Sequence, residues 1–287
     1  MTIATPRTHG RASFMLTHER LVVDGVVKPY VAGQQVVVRF ERNGRGVATR
    51  TVGVLPGPAG AGRFRLGYAS PRAGVVSVSA VHAGSPQQAA FAARAAGVRF
   101  VDADMSVGAH GPGVWLLQSK LSARHLSVPR SGVFDEATGR AVIAYRKLVG
   151  LARVPATDAQ VMRLLLRGAG DFHVRYRRDG RHVEANLAKQ VLAEIEPGGR
   201  VRRVYTISSG KPSTPTVLGR FRVYMKTPGT NAEGMVDSNY FIRGYAIHGY
   251  AEVPSYAASH GCLRVPIPDA PAIYAWVQVG TPVDVYY

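Results

Sequence analysis

Apolar and polar residues alternate with a period of two along three stretches of the first hundred residues. Val36, Val38 and Phe40 interleave with Val37 and Arg39. Phe64 and Leu66 interleave with Arg63, Arg65 and Gly67, and Val76, Val78 and Ala80 with Ser77, Ser79 and Val81. Successive side chains of a strand point to opposite faces, so this rhythm predicts strands with one buried face. Asn43-Gly44 directly follows the first of them and predicts a hairpin turn. Pro56-Gly57-Pro58 and Ser70-Pro71 punctuate the rest. The pattern predicts a β-sandwich over residues 12–103. Alanine-rich Ala89–Ala95 is read as a late strand, and residues 1–11 as a flexible basic terminus.

The rhythm then changes. Val114, Leu117, Gln118 and Leu121 are spaced for one face of a helix, as are Ala141, Val142, Tyr145 and Leu148. Thr138 is placed to cap the second helix, after a turn at Gly132 and Asp135. Val161, Leu164 and Leu165 mark a third, so residues 107–167 form a small helical module. Strand patterns return over 172–287: Val174 and Tyr176; Val183 and Ala185; Val191, Ala193 and Ile195; Val204, Thr206 and Ile207; Phe221, Val223 and Tyr224; Tyr245 to His248; Val283 to Tyr286. Asp179-Gly180 and Gly198-Gly199 are read as hairpin turns, and Pro271–Val277 as a helix that follows Asp269 and ends before Gly280. The fold class is multidomain and mainly β.

Composition narrows the chemistry. The 287 residues carry a net charge of +18, and 22 of the 36 basic side chains fall within the first 171 residues. Such a surface favours polyanions. The arginines are scattered, and neither a finger-like Cys/His spacing nor a basic zipper is present, so nucleic acid is not the expected partner. No apolar run reaches membrane-spanning length, and residues 1–11 show no signal-peptide core. A single cysteine excludes an intrachain disulfide, leaving a buried small hydrophobe or a reactive thiol.

That cysteine sits in the most informative segment. It runs from Tyr240 through Tyr245, Ile247, His248 and Gly249 to Ser259, His260, Gly261, Cys262, Leu263 and Arg264. A thiol with a free pKa of about 8.5 needs a base to become a nucleophile, and a nearby histidine supplies one. Attack on a carbonyl also needs donors for the oxyanion, which backbone N–H groups beside a glycine can provide. Arginine can grip a carboxylate with two parallel hydrogen bonds. Zinc held by His248, His260 and Cys262 is the rival arrangement, but no acidic residue stands in the motif to serve as base.

His248-Gly249, followed by Ser259-His260-Gly261-Cys262 and Arg264, resembles the signature of the YkuD-type L,D-transpeptidases of bacterial peptidoglycan. Ser209-Gly210, Thr214-Pro215-Thr216 and Gly219-Arg220-Phe221 resemble that family's substrate loop, with Val217-Leu218 inserted. Gly280-Thr281-Pro282-Val283 resembles its last strand. Residues 114–151 resemble the three-helix peptidoglycan-binding-like module, with Tyr145-Arg146 where the family has an aromatic-Gln pair. Residues 12–103 resemble bacterial immunoglobulin-like modules in pattern.

The resemblance implies a mostly β catalytic domain over 172–287 that forms 3→3 cross-links from a tetrapeptide donor without a cofactor or metal. Cys262 would be the nucleophile and His248 the general base, oriented by the backbone carbonyl of Gly249. The N–H groups of Gly261 and Cys262 would form the oxyanion hole. His260, Arg264, Ser259, Tyr240 and Tyr245 would line the substrate site. Partners would be peptidoglycan stem peptides and anionic wall polymers, which implies work outside the membrane. Water as acceptor would make the protein an L,D-carboxypeptidase; an inactive site would make it a wall-binding protein.

Overall fold

The computed structural model describes residues 1–5 and 13–287, and the chain divides into two compact units, Met1–Ala103 and Asp104–Tyr287. The first contains β1 (Thr2–Ala4), β2 (Ser13–Leu16), β3 (Arg20–Val27), β4 (Gln35–Arg42), β5 (Arg45–Gly53), β6 (Leu55–Pro56), β7 (Gly62–Ala69), β8 (Gly74–His82) and β9 (Phe91–Val101). They form two sheets, ordered β1-β3-β7-β6 and β2-β9-β8-β4-β5. The alternation seen in the sequence is the cause. Val36, Val38 and Phe40 are fully buried and meet Val76, Val78, Leu21 and Phe64 in one core, whereas Arg39 faces water. Asn43 and Gly44 both have left-handed φ (50° and 79°), the geometry that a two-residue hairpin between β4 and β5 demands.

The terminus differs from its expectation. Thr2–Ala4 pairs antiparallel with Asp24–Val26, because β3 offers these residues an unpaired edge. The remainder of the expected flexible stretch, residues 6–11, lies outside the described residues.

The second unit contains α1 (Pro112–Ser122), α2 (Glu136–Val149) and α3 (Ala159–Leu166). These are followed by β10 (His182–Asn186), β11 (Val191–Glu196), β12 (Arg200–Thr206), β13 (Gly219–Arg222), β14 (Met225–Thr230), β15 (Val236–Ile242), β16 (Tyr245–Tyr250), β17 (Leu263–Pro266), α3's successor α4 (Ala270–Trp276) and β18 (Pro282–Tyr286). Its two sheets run β12-β11-β10-β18-β13 and β14-β15-β16-β17. They enclose a core that includes Val183, Leu192, Tyr205, Ile247, Leu263 and Val285.

Local chemistry corrects three sequence readings. Asp135 caps α2, because its carboxylate accepts from both the N–H and the hydroxyl of Thr138. Val174 and Tyr176 form no strand, because the N–H groups of Arg175 and Tyr176 donate to the Glu184 carboxylate instead of a ladder. Without that strand Asp179-Gly180 closes no hairpin, whereas Gly198 and Gly199 (φ 82° and 75°) do turn β11 into β12.

The helices are built into the same unit as the strands rather than set apart from them. Arg140 pairs with Asp269, Lys189 donates to the Leu148 carbonyl, and Arg153 donates to the Ser255 carbonyl at 2.7 Å. Arg146 is buried, and its guanidinium binds the Ala152 and Ala156 carbonyls and Asp158, tying α2 to the start of α3. It is therefore a brace within the module.

Candidate active site

β16 and β17 run side by side and parallel, with Ile247 opposite Leu263, His248 opposite Arg264 and Gly249 opposite Val265. Cys262 immediately precedes β17. The period of two puts Cys262 and Arg264 on one face of the sheet, together with His248 and Tyr250 of β16. Ile247, Leu263 and Val265 occupy the other face and are fully buried in the core. The apolar set thus anchors both strands and aims the reactive set to the opposite side.

His248 is 2% exposed, and its Nδ1 lies 2.9 Å from the Gly249 carbonyl oxygen. Accepting that bond, the carbonyl holds the proton on Nδ1 and leaves Nε2 as the basic nitrogen. Burial pushes the His248 pKa below its usual value, and the Arg264 charge pushes the same way. The His248 ring meets Tyr250 edge-on at 5.6 Å, and the Arg264 guanidinium lies over that tyrosine at 4.1 Å.

Cys262 is partly buried, with Sγ 3.8 Å from the Gly244 carbonyl oxygen. Burial raises the thiol pKa, opposed by a backbone hydrogen bond at Ala246 and by Arg264. Thiol and imidazole are both pushed toward their neutral forms.

The loop before β17 is held from inside. Ser259 is fully buried; its hydroxyl donates to the Cys262 carbonyl at 2.6 Å and accepts from the Gly261 N–H at 3.1 Å. This bears on the expected oxyanion hole. The Gly261 N–H is engaged within the loop, so the Cys262 N–H is the remaining donor of the pair. Gly261 has a φ of 121°, and a Cβ there would stand 2.1 Å from the Tyr245 ring. The tyrosine packs against the buried core and supports the loop from the core side. Tyr240 is the register partner of Ala246, on the His248 face, and its hydroxyl lies 3.5 Å from Asn231 Nδ2. Among the described residues no three metal-ligating side chains gather. His260 is exposed, and its Nε2 lies 3.1 Å from Lys211 Nζ.

Sequence reading missed the partners of this loop. Ala258 and Ser259 both donate to the Ser209 carbonyl, Lys211 N–H donates to the Ser259 carbonyl, and Ser208 exchanges two backbone hydrogen bonds with Arg264. Gly210 crosses so close to Thr214–Thr216 that a Cβ would stand 2.3 Å from the Thr214 oxygen. Only the Ser209-Gly210 and Thr214-Pro215-Thr216 pattern hinted at this. Gln190, Lys211 and Tyr250 carried no signal.

Comparison with known proteins finds the following similarities. The model of the L,D-transpeptidase catalytic domain family (YkuD) matches residues 180–285. The L,D-transpeptidase structure from Xylanimonas cellulosilytica is 31% identical, with a TM-score of 0.60, over 65% of this chain and 98% of that one. An L,D-transpeptidase from Stackebrandtia nassauensis is 18% identical over 64% of this chain and 95% of its own (TM-score 0.41). One from Mycobacterium tuberculosis is 12% identical over 99% and 96% (TM-score 0.35). No curated protein matches. His248 and Cys262 lie within the matched family region, and the Xylanimonas structure, of residues 123–326 of that protein, is matched along nearly its whole length: the chain belongs to the L,D-transpeptidase family.

Proposed function

We infer that Cys262 is the nucleophile and His248 the general base of an acyl transfer on peptidoglycan stem peptides. The observation that carries this reading is the 2.9 Å bond between His248 Nδ1 and the Gly249 carbonyl, which presents a basic Nε2 on the face shared with Cys262. Because both groups rest neutral, the thiol proton passes to Nε2 as sulfur attacks. The electrophile is the carbonyl joining the diamino acid at stem position three to D-Ala at position four. The oxyanion meets the Cys262 N–H, and the tetrahedral intermediate collapses as D-Ala leaves with the proton from His248. A side-chain amine from a second stem then attacks the thioester, releasing the thiol and giving a 3→3 cross-link. Water in place of the amine gives a tripeptide stem. Arg264, on the face shared with Cys262 and His248, offers a guanidinium suited to the carboxylates of stem peptides.

This chemistry belongs outside the cytoplasmic membrane, where the cross-linked wall lies. The first unit fits such a setting: among residues 1–103 thirteen basic side chains outnumber four acidic ones. Its charge suits anionic wall polymers, and the binding should weaken as salt rises. Incubation with a disaccharide-tetrapeptide, alone and with a second stem, tests the acceptor. A cross-linked dimer with released D-Ala supports transpeptidation. A tripeptide product alone shows that water is the acceptor, and intact tetrapeptide overturns the reading.

A further inference from the structure

Outside the reactive face, α2 buries a lysine that the mechanism does not use. Lys147 lies in α2 and is 3% exposed. Its Nζ donates to the Gln190 carbonyl at 3.0 Å, the Thr206 hydroxyl at 2.7 Å and the Ile207 carbonyl at 2.9 Å. All three acceptors are neutral, and no carboxylate pairs with it among the described residues. Burying a cation without a counter-charge is costly, so packing alone does not account for a lysine here where leucine or methionine would fill the same space.

The acceptors show what the nitrogen holds. Gln190 adopts a left-handed φ of 58° in the turn between β10 and β11 and is itself 4% exposed. Its side-chain amide grips Ser209 twice: Oε1 accepts from the Ser209 N–H at 2.9 Å, and Nε2 donates to the Ser209 hydroxyl at 2.6 Å. The Ser209 carbonyl accepts from the N–H groups of Ala258 and Ser259 at 2.8 and 2.9 Å. The Ser259 hydroxyl closes the series on the Cys262 carbonyl. Gln190, Ser209 and Ser259, which carry the series, are each at most 4% exposed.

We propose that Lys147 is a positioning residue for the L,D-transpeptidase reaction: through Gln190, Ser209 and Ser259 it holds the Cys262 N–H in register with the thiol. The helical module then has a part in the chemistry that needs no contact with glycan. The inference rests on the acyl-transfer reading of Cys262.

The test uses the full chain and compares two reactions of the only cysteine. Acylation by a carbapenem, whose β-lactam carbonyl generates an oxyanion, needs the loop's donor. Alkylation by iodoacetamide needs only an accessible thiolate. Both are followed by intact-protein mass. For Lys147→Met, which keeps the chain's length without its donors, acylation is expected to fall by roughly 10- to 100-fold, with alkylation changed less than about 2-fold. The double variant Lys147→Met/Gln190→Met should lose little beyond the larger single effect, because both cut one series. Should Lys147→Met not fold, Gln190→Met leaves the lysine's carbonyl acceptors in place, cuts the next link and carries the same comparison. Acylation at the wild-type rate in a folded variant, or equal loss in both reactions, overturns the proposal. If the wild-type protein is alkylated but never acylated, the reading of the site falls, and this inference with it.

Discussion

His248 and Arg264 stand directly opposite one another on neighbouring parallel strands, and the Arg264 guanidinium lies over the ring of Tyr250, which His248 meets edge-on. The cation is therefore held beside the imidazole by the strand register itself. It adds to burial in holding the His248 pKa below its usual value. A base works only when unprotonated, so acylation is lost as pH falls through that depressed pKa. In Arg264→Met the His248 pKa rises, and the acid limb of the pH–rate profile should move to higher pH. An unmoved limb would show that Arg264 does not act on the imidazole.

The resting state of the thiol follows from its surroundings. Burial raises the Cys262 pKa and lowers that of His248, which disfavours a thiolate–imidazolium pair. Alkylation by iodoacetamide should therefore rise continuously with pH, through and above the ordinary thiol range of about 8.5, with no plateau at low pH. A pH-independent rate between about pH 5 and 7 would instead reveal a preformed ion pair.

Gly261 has no tolerance for a side chain. Its φ of 121° is a conformation that L residues rarely adopt, and an added Cβ would stand 2.1 Å from the Tyr245 ring. Gly261→Ala should displace the loop that carries Cys262. The expected result is at least about 10-fold slower acylation, with a loss of roughly 1–3 kcal/mol in stability by denaturant unfolding. A variant with wild-type rate and midpoint would remove the loop geometry from the account.

Lys147 makes a separate prediction about stability. Burial, aided by the charge of Arg153, pulls its pKa down to about 7. In the unfolded chain the lysine titrates at about 10.4, so between these values the unfolded state binds the extra proton. Stability should therefore rise with pH from about 7 upward, with a limiting slope of about 1.4 kcal/mol per pH unit. Lys147→Met should flatten that slope relative to the wild-type protein in urea unfolding from pH 7 to 9. An identical slope in both proteins would show that Lys147 does not titrate in this window.

The two-residue rhythm of Val36, Val38 and Phe40 made the sandwich legible, because a half-buried strand writes its burial directly into alternate positions. The helical spacing of Leu117 and Leu121 did the same for α1. His248, Gly249 and Cys262 stand out in the sequence as rare residue types in a fixed order, and the structure brings the segments that carry them side by side. What stayed hidden was long-range. Tyr176 looks like a strand residue until the Glu184 carboxylate claims its N–H. Gly261 looks like an oxyanion donor until Ser259 occupies it. Lys147 and Gln190 are 43 residues apart, and nothing local tells a buried lysine from the many exposed ones. The boundary between helices and strands is drawn from the change in hydrophobic spacing, but Lys147, Arg140 and Arg153 join the two across it.

The most direct test of the account is the intact mass of the wild-type protein after incubation with a disaccharide-tetrapeptide, beside Cys262→Ser and His248→Gln. A thioester adduct equal in mass to the donor less D-Ala is expected on the wild-type chain. No thioester adduct is expected on Cys262→Ser, and adduct formation slowed by about 100-fold or more on His248→Gln. An unmodified wild-type protein with a titratable free thiol, or equal adduct formation on His248→Gln, would contradict it.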